Sequence, residues 1–505
     1  MVRRGKLPGQ GAGVLALACA AQFMVVLDVS VVNVALPSIR AALGFDPAGL
    51  QWVVGAYALV FAGFLLPGGR LADLLGHRRT FLLGLALFTG ASLVGGLAAS
   101  PGTLTAMRAL QGLGAAVLAP ATLTILTAAH PEGPSRTRAL AVWTAVSSAG
   151  GAAGNLIGGV LTDTLSWRWI LLINVPVGAL ALLAAIRLLP TGAGDGPGPA
   201  RGASGGSGST VRRLDVLGAV LATVGVGGLV HGLSRAGADG WSSPAAVTGV
   251  AVGLVSLAAF AAVEARWARA PLVPARLVRL RAVLAGNAVM LLAGACFIPM
   301  WYFLSLHMQE ALGYGALATG VGFLPHTLVG IVAARCAPAV MRRTGARTLI
   351  VLSALLAAVG FLWQSAAGAA DGYLVGMLGP GIVMSAGMGL LVTPVTVLAT
   401  SGVAADDAGA ASGLMNAARQ MGGAIGLAAL VTLPGTASRE PGGPTDAIPA
   451  YGPVFTAIAL LCALVAALAA VALPRSHDGA AVQPEGGRGS CEGVEEVSGR
   501  NQGLS

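Results

Sequence analysis

Residues 25–39 read VVLDVSVVNVALPSI, an apolar stretch broken by one carboxylate, Asp28, with Asn33 and Pro37 close behind. A charge near the centre of a membrane helix costs about 2.5–3.5 kcal/mol on insertion scales, so it faces a cavity or a partner. Whether this stretch lies in a membrane depends on its surroundings. The chain has 505 residues, of which 55% are hydrophobic and 10% charged, and its mean hydropathy is +0.80. Soluble domains carry about 25% charged residues. Long, uniformly apolar runs recur along the chain and lack the alternation of membrane-spanning strands. The fold class that follows is an all-α membrane protein.

A window of about 20 residues predicts about fourteen helices, the first over 14–36 and the last over 451–473. Six lie in 14–189, two in 214–265 and six in 283–473, a 6+2+6 plan. Residues 1–13 form an N-terminal segment, 190–213 a Gly/Ser/Pro linker, 266–282 a basic loop and 474–505 a polar tail expected to be disordered. Arginines crowd the alternate loops that share a side with the N-terminus, among them Arg70, Arg136, Arg201, Arg276 and Arg342. The opposite loops hold mainly Arg40, Arg168, Arg235 and Arg439, each with an acid nearby. This asymmetry predicts that both termini are cytoplasmic.

The net charge of +10 follows from those loops, so no nucleic-acid partner is expected. Lys6 is the only lysine, which excludes a Walker A loop; a pump would use an ion gradient or borrow an ATPase subunit, and the expectation is that it works without one. The five cysteines form no CxxC pair and read as small core residues. No cofactor or metal site is expected. The GASGG of the linker, 202–206, matches GxSxG but lacks a strand–turn–helix frame. A shift of 269 residues lays Gly76 on Gly345, Arg78 on Arg347 and Gly154 on Gly423, which predicts two related halves around a midplane site.

Four motifs stand out. Asp28 is read as a proton or substrate-cation site, the alternative being a carboxylate bonded to a neighbouring helix. In GGRLADLLGHRRTF (68–81), Gly69, Asp73, Gly76, Arg78 and Arg79 read as a conformational latch between two helices. In LTAMRALQGLGAA (104–116), Arg108 needs a buried partner, with Gln111 one turn on. In SSAGGAAGNLIGG (147–159), Gly150, Gly154 and Gly158, with Gly151 and Gly159, give a smooth face for close helix packing around Asn155. Asn33, Gln111, Trp301, Tyr302, His326 and Arg419 are candidate cavity residues.

These motifs, with SWRWILLINVPVG (166–178) and ASGLMNAARQMGGAIG (411–426), resemble the major facilitator superfamily. The likeness is to its fourteen-spanner drug:proton antiporters, the EmrB/QacA type, and covers about residues 14–473. The resemblance implies two six-helix bundles around a central cavity, proton coupling through Asp28 and Arg108, and export of a drug or antibiotic from a bacterial plasma membrane. Where the family's fifth-helix motif has proline, this chain has Asn155. The alternatives are a metabolite facilitator or importer of the same fold, and a membrane sensor or scaffold.

Overall fold

The computed structural model describes residues 10–130, 133–189, 216–266, 275–367, 372–403, 407–433 and 451–473. The linker 190–213, the tail 474–505 and residues 267–274 of the loop 266–282 lie outside them. Fourteen long helices run through the described residues, which contain no strand. They are α1 (Gln10–Leu43), α2 (Trp52–Leu75), α3 (His77–Gly96), α4 (Pro101–Ala129), α5 (Pro134–Thr164), α6 (Trp169–Leu188, with a break at Ile173) and α7 (Val216–Asp239). The others are α8 (Pro244–Arg266), α9 (Arg281–Ala311), α10 (Ala316–Thr344), α11 (Ala346–Ala366), α12 (Leu374–Ala399), α13 (Ala408–Val431) and α14 (Gly452–Ala472). Among the described residues, twelve of them are long and apolar enough to cross a membrane. The middle of α13 carries Asn416, Arg419 and Gln420.

α1 outruns its expected end at residue 36 and continues through Pro37 to Leu43. Ile39 is buried and Arg40 reaches Glu310, so packing outweighs the hydrogen bond that proline removes. α9 likewise ends in a π-helical turn, His307–Ala311.

Helix pairing repeats between the halves. α1 packs on α5, α2 on α4, and α3 on α4 and α6; correspondingly α9 packs on α13, α10 on α12, and α11 on α12 and α14. Small residues set these approaches. Cβ atoms added at Gly154 and Gly158 of α5 would strike Ser30, Leu27 and Val31 of α1, and one at Gly426 of α13 would strike Ala295 of α9. The turns agree in detail. Gly76 (φ 85°, ψ 150°) joins α2 to α3, and Gly345 (φ 80°, ψ 154°) joins α10 to α11, a backbone shape that favours glycine. Arg78 then donates to the carbonyl of Ile186 at the end of α6, and Arg347 to that of Ala470 at the end of α14.

The bundles meet along two seams, α5 with α10 and α2 with α13, and α1 also touches α9. We call the face where α1 begins the near face and the opposite one the far face. The interbundle contacts described here lie in the far halves: Gly159 against Ala316, Asn155 against Gly320, and Leu59 in one cluster with Ala424 and Ala428. A single apolar core spans both bundles there, from Val31 and Leu36 to Met300 and Phe303, whereas the near half of the first bundle has its own core. α7 and α8 pair through Gly228, Gly232, Gly249 and Gly253, and α7 lies against both α2 and α13. Gln51 of the α1–α2 connection donates to Ser234 of α7 at 2.6 Å. Cys19, Cys296 and Cys462 are buried, as small core residues should be, whereas Cys336 of α10 is exposed.

Candidate functional site

Five helices of the first bundle converge on Asp28. Arg108 of α4 donates from Nη1 to Asp28 Oδ2 at 2.5 Å and to Gln111 Oε1 at 3.0 Å. The other carboxylate oxygen accepts from Gln111 Nε2 at 3.1 Å and from Asn174 Nδ2 of α6 at 2.9 Å. Gln111 Nε2 also donates to Ser92 Oγ of α3 at 2.7 Å, and the Ser92 hydroxyl donates to the carbonyl of Phe88 at 2.8 Å. From α2, Val53 accepts from Arg108 Nε at 2.8 Å, and the ring of Tyr57 stacks 4.6 Å from the guanidinium carbon.

Asp28 and Gln111 are 0% exposed, Arg108 and Asn174 1%, so water cannot screen the pair. Two buried charges are tolerable only when each is met by the other and by further hydrogen bonds, and here both conditions hold. Breaking such a pair by removing one partner typically costs about 3–5 kcal/mol.

α1 connects this centre to the seams. Asn33, one turn and a half beyond Asp28, gives its carbonyl to Ser305 Oγ of α9 at 2.7 Å, and Val34 gives its own to Gln309 Nε2 at 2.9 Å. Further along, Arg40 pairs with Glu310 at 3.0 Å, and Glu310 also accepts from the Tyr451 hydroxyl at 2.6 Å. On its other side α1 fills the glycine face of α5. The Asp28 helix is therefore shared by the polar centre, the tightly packed glycine face of α5 and the far-face contacts with α9.

The remaining sequence candidates disperse. Gly150, Gly154 and Gly158 face α1, while Gly159 and Asn155 meet α10. Asn155 stands within an unbroken α5, and its side-chain oxygen is buried without a hydrogen-bond partner among the described residues. In the latch, Gly69 lies near Pro120, Gly76 forms the turn, Arg78 caps α6 and Arg79 is exposed. The side chain of Asp73 lies outside the described set. Gln111 belongs to the Asp28 centre. Tyr302 is buried against Phe303, and Trp301 packs edge-on to Phe323 and Phe297. His326 is buried within the second bundle, bonded to the carbonyls of Gly322 and Met377. Arg419 lines a hollow between α9, α12 and α13, and Tyr302 lines another beside Arg40, Glu310 and Tyr451. Sequence reading missed Asn174, Ser92 and Tyr57. Asn174 was within a quoted motif, and an amide in an apolar run was its only signal. Among the described residues no cluster of His, Cys, Asp and Glu could hold a metal ion.

Comparisons with known proteins agree with this architecture. Residues 18–427 match the Major Facilitator Superfamily. The chain is 52% identical over 465 residues to the cephamycin export protein CmcT of Amycolatopsis lactamdurans, covering 92% of this chain and 93% of that protein. It is 41% identical over 426 residues to the puromycin resistance protein pur8 of Streptomyces alboniger, covering 83% and 81%. It is 34% identical over 412 residues to the lincomycin resistance protein of Streptomyces lincolnensis, covering 82% of each.

Proposed function

The chain belongs to the Major Facilitator Superfamily, and from that premise we propose that it is a proton-coupled exporter. Its cargo is a hydrophobic or amphipathic small molecule of the antibiotic kind. It works from a bacterial plasma membrane with both termini in the cytoplasm, and without an ATPase subunit. Support for the cargo class comes from relatives named for cephamycin export and for puromycin and lincomycin resistance. Support for the orientation comes from the arginine-rich near-face loops.

The observation that carries the coupling is the enclosure of Asp28. Its carboxylate holds α1 to α4 and α6 through one guanidinium and two amides. A proton on Asp28 removes the charge that Arg108 neutralises and replaces an acceptor with a donor. The grip on α1 then loosens. α1 also carries the Asn33 and Val34 carbonyls of the far-face clasp and the surface that fills the α5 glycines. Protonation thereby biases the contacts between bundles, and the bundles rock around a central site. With the near face cytoplasmic, the conformation described here is closed outside, and cargo loads from within. The glycines at 150, 154 and 158 supply the packing on which α1 and α5 slide, and the turn at Gly76 with its arginines is the inner latch that re-forms in each cycle.

The test is accumulation of a fluorescent dye and of a cephamycin in an efflux-deficient bacterium expressing the chain. Accumulation should fall several-fold and return to the control level when a protonophore collapses the gradient. Accumulation equal to the vector control, or export indifferent to the protonophore, contradicts the proposal. Reporters fused at Gly205 and Ser505 should both read cytoplasmic.

A further inference from the structure

Arg108 and Arg419 both stand inside long helices, and their surroundings differ. Arg108 meets Asp28 and has three further groups around it, the Val53 carbonyl, Gln111 and the Tyr57 ring. Arg419 of α13 makes one hydrogen bond, from Nη2 to Asn416 Oδ1 at 2.9 Å on its own helix, and pairs with no carboxylate among the described residues. Ion pairs elsewhere among those residues include Arg40–Glu310, Arg235–Asp239 and Arg276–Asp407. A guanidinium carries five N–H donors in a flat fork that matches a carboxylate edge to edge. Most of that fork is unspent.

Its setting is otherwise apolar. Arg419 lines a hollow with Met290, Ala293 and Phe297 of α9 and Met388 and Leu391 of α12. Methionine and phenylalanine walls adapt to varied apolar bodies. Gly294 fixes where the arginine stands: a Cβ there would run into the carbonyl of Arg419, so α9 and α13 touch backbone to backbone at this level. Elsewhere along their lengths the same two helices reach the first bundle, α9 through Ser305 to α1 and α13 through Ala424 to α2.

We propose that Arg419 is the cargo-recognition site of this transporter and that the cargo it selects is an amphipathic carboxylate. The apolar part of the molecule lies against Phe297 and Val392, the partly exposed apolar side chains of the hollow, while its carboxylate accepts from the guanidinium fork. This rests on the export reading and narrows it to anionic cargo. It also divides the labour between the arginines. Arg108 is occupied by the protein's own carboxylate, and Arg419 is left for a carboxylate brought from outside.

The test uses a matched pair of probes, 7-(diethylamino)coumarin-3-carboxylate and its methyl ester, with purified full-length protein in detergent. Binding is read by tryptophan quenching. The parent should bind the carboxylate at least tenfold more tightly than the ester. Arg419→Gln should abolish that preference by weakening the carboxylate alone, and Arg419→Lys should keep part of it. Val392→Glu, which places a carboxylate beside the intact arginine in the hollow, should abolish the preference as well. Equal binding of acid and ester by the parent overturns the proposal. So does an equal loss of both probes in Arg419→Gln, or an unchanged preference in Val392→Glu. Binding in detergent requires no transport, so a parent that prefers the carboxylate yet exports nothing from cells overturns the export reading and leaves the recognition site standing.

Discussion

In the first bundle Arg78 caps the end of α6, and in the second Arg347 caps the end of α14; the glycine turns before them share one backbone shape. Gly114 packs against the backbone of Gly84 and Phe88, and Gly387 against Ser353 and Ala357. These matches fix the register between the bundles helix by helix. In that register Ser92 corresponds to Phe361, Gln111 to Met384, Asn174 to Ile458, Arg108 to Gly381 and Tyr57 to His326. α9, the counterpart of α1, has no acid from Arg281 to Leu306. Where the first bundle has an ion pair and two amides, the second has Phe361, Met384 and Ile458, all fully buried, and the His326 ring fills the space over Gly381. One frame thus folds around either interior. The polar centre is not what this packing requires, which leaves its cost to be explained by work it does.

The comparison breaks most sharply at the ion pair. Arg108→Leu should strand a buried carboxylate, cost about 3–5 kcal/mol and abolish transport. Adding Asp28→Leu should recover most of the stability, because an apolar pair of similar volume suits such a site, while transport stays absent. Thermal unfolding in detergent beside a vesicle efflux assay separates the two effects. If the double variant is as unstable as the single one, the centre is structural.

Exchanging individual residues between bundles comes next. Gln111→Met gives the first bundle the second's residue, removes donors to Asp28 and Ser92, and should cost about 1–3 kcal/mol with a several-fold loss of transport. The reciprocal Met384→Gln buries an amide among apolar neighbours. It should destabilise by a similar amount yet leave the ratio of protons to cargo unchanged. A changed ratio in Met384→Gln would show that the second bundle takes part in coupling.

The smallest effect belongs to the shared turns. Gly76→Ala and Gly345→Ala place a Cβ at positive φ and should each cost roughly 1–2 kcal/mol. Equal loss of stability tests the equivalence of the halves. A larger loss of transport in Gly76→Ala identifies the first turn as the working latch.

Much of this was legible in the sequence. Apolar runs gave the helices, and the shift of Gly76 onto Gly345 gave the repeat. Asp28, Arg108 and Gln111 were visible because charge and amide groups are out of place in such runs. Their partnership was not visible, since Asp28 and Asn174 meet across 146 residues. Ser92 and Tyr57 are common in apolar helices and gave no signal. The correspondence of the two interiors was hidden too: connections of unequal length change the offset from helix to helix, so one shift cannot align them all. Asn33 and His326 were singled out for their polarity and are buried in helix packing, which a linear pattern cannot distinguish from a cavity wall; Tyr302, one of few aromatics, is buried too but edges the hollow beside Arg40 and Glu310.

The central claim is that proton exchange runs through Asp28 and not through the second bundle. Its most direct test is proton movement driven by cargo in everted vesicles, comparing the parent with Asp28→Asn, which keeps the shape and most hydrogen bonds but cannot titrate. The parent should move protons in response to cargo, and Asp28→Asn should still bind cargo while moving none. Normal proton exchange in Asp28→Asn would contradict the account and leave Asp28 a packing or recognition residue.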